Sequence, residues 1–109
     1  MDDIKQETWE EITAAAKQTV DALIARLPVE LRPEALRVGY ELCKRCPDKS
    51  FTLGSYVRTA PLITLYLEGI RDECYLRGRD FTSELERTYL HELGHHLGLD
   101  EEAVERLGV

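Results

Sequence analysis

The sequence predicts an α+β domain in which helices pack on a small sheet. Three observations predict it: helical spacing of apolar residues over the first quarter of the chain, strand-like stretches between positions 36 and 67, and two capped helical patterns after position 80. At 109 residues the chain suits a single domain, 1–109, with one hydrophobic core. Hydrophobic residues make up 43% and charged residues 32%, the profile of a folded globular chain and not of a disordered one. There are no repeats and no low-complexity tract.

From Asp3 to about Leu27, the residues Ile4, Ile12, Ala16, Val20, Leu23, Ile24 and Leu27 recur at helical intervals among charges, which predicts an amphipathic helix ended by Pro28. Pro28 and Pro33 bracket a short irregular connection, LPVELRPE. In ALRVGYELC, Leu36, Val38, Tyr40 and Leu42 alternate with polar or small neighbours, the period of a half-buried strand. CPDKS reads as a turn. FTLGSYV, 51–57, is a second, shorter strand weakened by Gly54, and the β-branched and aromatic run PLITLYL, 61–67, is a third. Pro61 cannot donate to a ladder, so it opens that strand and favours an edge position.

After Gly69, IRDECYLRG reads as a short helix, and FTSELERTYLHELGHHLG as the clearest helix of the chain. Thr82 or Ser83 can cap its start, with Glu86 as a capping-box partner, and Gly98 is a natural stop. DEEAVERLG then gives a short closing helix with Asp100 as cap and Gly108 as stop.

Lys and Arg total 14 against 21 Asp and Glu, a formal charge of −7 that disfavours nucleic acid and anionic membranes and suits cationic partners. No stretch approaches the roughly 18 apolar residues of a membrane span, and the start, MDDIKQETWEE, is acidic and not signal-like. A cytoplasmic location is expected. Cys43, Cys46 and Cys74 are an odd number, so reduced thiols are expected; the lone CKRC pair has the spacing of a zinc or redox site but no second pair accompanies it.

The chemistry is concentrated in HELGHHLGLDEE, residues 91–102, which holds all three histidines. His91 and His95 are four apart on a predicted helix, so both rings leave one face and can each give a nitrogen to one Zn²⁺ at about 2.0–2.1 Å. Glu92 follows the first of them, where the HExxH pattern places a carboxylate that takes a proton from bound water. Gly98 lets the chain turn back toward the metal, and Glu101, ten residues after His91, is the first choice of third ligand, with Asp100 and Glu102 able to substitute. His96 points away from that face, toward packing or a supporting hydrogen bond.

HELGHHLGLDEEAVERLGV, with ITLYL upstream, resembles the minimal zincin-like metallopeptidases of bacteria, whose C-terminal part reads HExxHHxG followed by acidic residues. The resemblance is tight over 88–109 and looser over 61–87. It implies a zincin-like fold, with an N-terminal helix, a small mixed β-sheet, an HExxH helix and a short terminal helix. It further implies His91 and His95 as zinc ligands, Glu92 as general base, and Glu101 as third ligand where the family usually has Asp. The only methionine is Met1, so the Met-turn of larger zincin clans is missing. The implied activity is hydrolysis of peptide bonds, with a peptide or protein substrate held along a sheet edge, for which strand 61–67 is the candidate. Tyr66, His96 and Arg71 are candidates for stabilising the developing oxyanion.

Two other readings share the cluster. A bacterial endoribonuclease family that matures ribosomal RNA spaces three metal-binding histidines at the same intervals, but this chain has Glu92 where that family has Gly and Glu101 where it has the third His. A non-catalytic zinc-binding regulatory module suits the small size, although a purely structural zinc site needs four protein ligands and has no use for Glu92.

Overall fold

The computed structural model describes residues 8–47 and 52–106. Helix α1 spans Trp9–Arg26. It starts there because Thr8 is extended and closes a capping box: the Glu11 amide donates to Thr8 Oγ1 at 3.1 Å and the Thr8 amide to Glu11 Oε1 at 2.9 Å. Residues 3–7 of the expected helix lie outside the described residues. Leu27 donates to the Ile24 carbonyl, and Pro28 ends the helix as expected.

The stretch from Leu36 to Cys43 is not one strand. A short helix, α2, occupies Arg32–Arg37, and strand β1 covers only Gly39–Cys43. Pro33 sits in the first turn of α2, where its missing N–H costs nothing and its fixed φ suits a helix, so it starts a helix where the sequence predicts an irregular connection. Leu36, read as an inward strand residue, is 72% exposed on α2.

Strands β2, Gly54–Val57, and β3, Leu62–Tyr66, complete the sheet. Its order is β1-β3-β2, with β1 parallel and β2 antiparallel to β3, so the sheet is mixed as the resemblance implied. The expectation that 61–67 is an edge is wrong. β3 is hydrogen-bonded on both sides, and Ile63, Thr64 and Leu65 are all buried, the continuous burial of a central strand. Pro61 lies just outside the ladder and removes no bond from it. A peptide therefore cannot pair with β3; the edges are β1 and β2.

Helix α3, Leu67–Arg77, follows β3 directly and ends at Gly78. Helix α4, Phe81–His96, is capped by Asp80, whose Oδ2 accepts from the Ser83 amide at 3.0 Å and from Ser83 Oγ at 3.1 Å. Neither Thr82 nor Ser83 is the cap, and Glu86 makes an ion pair with Arg26 at 2.8 Å instead of a capping box. α4 lies against the sheet and α1, burying Leu85, Tyr89 and Leu93 in a core with Val20, Ile63, Leu65 and Ile70. Helix α5, Glu101–Arg106, closes the described chain; the expected stop at Gly108 lies outside the described residues. The N-terminal helix, small mixed sheet, HExxH helix and short closing helix follow in the order that the resemblance implied. No helix among the described residues is long and apolar enough to cross a membrane.

Candidate metal centre

The site is built by how α4 ends. Gly98 adopts φ +92°, and two bonds close the turn around it: the Gly98 amide donates to the His95 carbonyl at 3.0 Å and the Leu99 amide to the Gly94 carbonyl at 3.1 Å. Together these form a Schellman stop, which reverses the chain. Asp100 Oδ1 then accepts from the Ala103 amide at 2.8 Å and starts α5. Because Asp100 is engaged as a cap, the next residue, Glu101, is the one that returns to α4.

α5 can come this close because residue 94 has no side chain. A Cβ on Gly94 would stand 2.9 Å from Val104 Cγ2, and Val104 is fully buried. The result is a cluster of His91, His95 and Glu101 whose donor atoms all lie within 4.8 Å of one another. Glu101 Oε1 is 3.1 Å from His91 Nε2 and 2.6 Å from His95 Nε2. Asp100 and Glu102 are not part of it. Hydrogen bonding to His91 is the largest cause holding the Glu101 carboxyl below the usual carboxylate range; burial opposes it, and His95 adds to the lowering.

The donor set fits a metal ion. A carbonyl oxygen can only accept, so the 2.9 Å contact between His95 Nδ1 and the Leu99 carbonyl fixes the proton of a neutral ring on Nδ1. Nε2 is then a lone pair aimed at a carboxylate oxygen, an arrangement that a cation between them resolves, and the Nδ1 contact is the kind of outer support that ligating histidines have. Two histidine nitrogens and one carboxylate oxygen also match an open zinc site that keeps a position for water or substrate.

Glu92 is buried and lines a cleft of about 550 Å³ that also reaches His91 and Glu101. Burial raises its carboxyl pKa, partly opposed by the two histidines. β2 passes tightly beside it. A Cβ on Gly54 would meet Thr88 Cγ2 at 2.9 Å and Glu92 Cγ at 3.3 Å, so the glycine read as a weak point in a strand is what lets that strand reach the site.

His96 faces elsewhere, as expected. Its Nδ1 is 2.8 Å from the Tyr56 hydroxyl and its Nε2 is 3.2 Å from Glu34 Oε1, which ties α4 to β2 and α2. The oxyanion candidates fare less well, since none of Tyr66, His96 and Arg71 lines the cleft. The Tyr66 hydroxyl lies 3.5 Å from Ser55 Oγ, and Arg71 stacks over Trp9 at 5.2 Å. Cys43, Cys46 and Cys74 are in no disulfide, and none joins a metal-binding group among the described residues. The charged residues that do face the cleft include Arg77, Arg79 and Arg87, which sequence reasoning missed; Arg87 could have been found, since it stands four residues before His91 on one helix face.

The fold thus brings His91, His95 and Glu101 into a group that could hold a metal ion. The model of the zincin-like metallopeptidases matches residues 18–109, and the chain belongs to that family. No curated protein matches the sequence.

Proposed function

We propose that the chain is a zinc-dependent peptidase, with His91, His95 and Glu101 as metal ligands and Glu92 as general base. The observation that carries this reading is the convergence of two histidine Nε2 atoms on one carboxylate oxygen beside a buried glutamate in an open cleft. Held by these residues, zinc would supply a Lewis acid for the scissile carbonyl and bring the pKa of water down to about 7. The Glu92 carboxylate takes the proton of the attacking water and delivers it to the leaving amine nitrogen; its raised proton affinity suits both transfers.

The substrate strand pairs with β2, not with 61–67. β2 is an edge strand, and its Gly54 lines the cleft. The whole of 1–109 makes one such domain, and its three thiols suit the reducing cytoplasm.

The test is metal content by elemental mass spectrometry together with hydrolysis of a defined peptide mixture. About one zinc per chain is expected in the wild type and none in His95→Ala. Glu92→Gln should keep its zinc and its fold while losing at least about 100-fold in hydrolysis. Hydrolysis that survives Glu92→Gln would remove Glu92 as the base, and a chain that takes up no zinc at neutral pH would remove the reading altogether.

A further inference from the structure

Charges of both signs line the cleft, and most of them are already committed. Arg77 is ion-paired with Glu73. Arg79 Nη1 lies 3.4 Å from Glu84 Oε1, on a side chain that is only 9% exposed. Glu101 faces the two histidines. Arg87 differs: it lines the same cleft, it is exposed, and no carboxylate pairs with it among the described residues.

Its position gives that free guanidinium a use. Arg87, His91 and His95 follow one another at intervals of four along α4, so they form one stripe on the helix. At 1.5 Å per residue Arg87 stands about 6 Å along the axis from His91, one turn from the metal ligands. A guanidinium presents five donors in a planar fork that matches a carboxylate, and it stays charged at any working pH. An acid entering near Arg77 or Arg79 must displace Glu73 or Glu84, whereas at Arg87 it displaces only water. Glu101 and Glu105, both on α5, line the opposite side of the cleft and disfavour an acid there.

We propose that Arg87 sets substrate choice by binding a carboxylate of the peptide beside the scissile bond, either an acidic side chain or the chain's own C-terminal carboxylate. The chain's charge of −7 opposes an acidic ligand at long range, but that field is screened beyond about 10 Å at 0.1 M salt, so the local pairing decides the contact. This inference rests on the peptidase reading, so its test must separate the two.

The zinc-loaded Glu92→Gln protein, which is expected to bind peptides without cleaving them, is titrated by fluorescence anisotropy with labelled, end-blocked alanine-leucine hexapeptides. One set carries a single Glu at each position in turn, a second carries Gln instead, and a third is uncharged with a free C-terminal carboxylate. At one position Glu should bind about tenfold tighter than Gln, the gain of a well-formed charged pair. Adding Arg87→Gln should cut that ratio to below about twofold, and Arg87→Lys should restore part of it. The gain appearing with the free carboxylate instead of Glu would support the inference and identify the chain end as the source. A Glu preference unchanged by Arg87→Gln, or tight binding with no preference for either carboxylate, would overturn the inference and leave the peptidase reading standing. If no peptide binds the zinc-loaded protein, both fall.

Discussion

Adding one methyl group at Gly94 should loosen the proposed metal centre without touching a proposed ligand. An Ala Cβ there would lie 2.9 Å from Val104 Cγ2, where carbon contacts ordinarily sit at about 3.5–4.0 Å, so α5 must retreat by several tenths of an ångström or more. Val104 is fully buried and its branched side chain has little rotamer freedom, so the helix and not the side chain must move. Glu101 is three residues away on the same short helix and approaches His95 Nε2 to 2.6 Å, so its carboxylate moves with it. Two effects oppose each other in stability: Ala gains about 1 kcal/mol over Gly within a helix, while overpacking costs about 1–3 kcal/mol. The net loss for metal-free Gly94→Ala should thus be about 0–2 kcal/mol, read by urea unfolding. Zinc affinity should fall further, by about tenfold or about 1.4 kcal/mol, read by competition with a chromogenic chelator. Gly94→Ala/Val104→Ala should regain most of the affinity while losing about 2 kcal/mol of stability to the vacated space. If Gly94→Ala binds zinc like the wild type and is stabilised by the full helical gain, the close approach of α5 is not what places Glu101.

Two further predictions concern the scaffold. The Tyr89 hydroxyl is buried with no hydrogen-bond partner among the described residues, and burial pushes its pKa up to about 12. Tyr89→Phe should therefore stabilise the protein by about 1 kcal/mol in urea unfolding, and a loss of that size would mean the hydroxyl is satisfied after all. On the outer face, the Tyr40 hydroxyl donates to Asp21 Oδ1 at 2.6 Å, and that bond, helped by Lys17, holds the Asp21 pKa below its ordinary 3.8. A depressed carboxyl stabilises the fold above its unfolded pKa and ceases to do so as pH falls through the lower folded value. The stability gap between wild type and Tyr40→Phe should then be constant from pH 7 to about 5 and narrow below about 4. A gap that stays the same down to pH 3 would show that Asp21 has no part in it.

What was legible in the sequence was what lies close together along the chain. His91, Glu92 and His95 share one helix, so their spacing alone sets their geometry, and Gly98 is required by the turn that follows. Glu101 was reached on the same logic, and Asp100, its rival, proved to be the cap of α5. The capping box at Thr8 and Glu11 was equally local and could have placed the start of α1. The rank of β3 in the sheet was not local. Its partners begin at Gly39 and Gly54, and pairing with both leaves no mark on PLITLYL except that its apolar run is nearly unbroken, as burial on two faces requires. Pro61 outweighed that signal because its position, one residue before the strand or inside it, depends on tertiary structure. Pro33 misled in the same way, since a proline ends one helix and begins another by the same fixed φ.

The three proposed ligands are unequally anchored. α4 is fixed by Leu85, Tyr89 and Leu93 in the core, so His91 and His95 are set before any metal arrives. α5 buries only Val104 among its residues, and a helix of six residues has little stability of its own in water. Its place is held by the packing of Val104 on Gly94, by the turn at Gly98, by the Asp100 cap and by the contacts of Glu101 with His91 and His95. A metal joining Glu101 to both histidines would add a bond between the weakest element and the strongest one. In the proposed site, affinity for zinc would include part of the free energy that docks α5, so metal binding and docking of the C-terminal helix would be coupled.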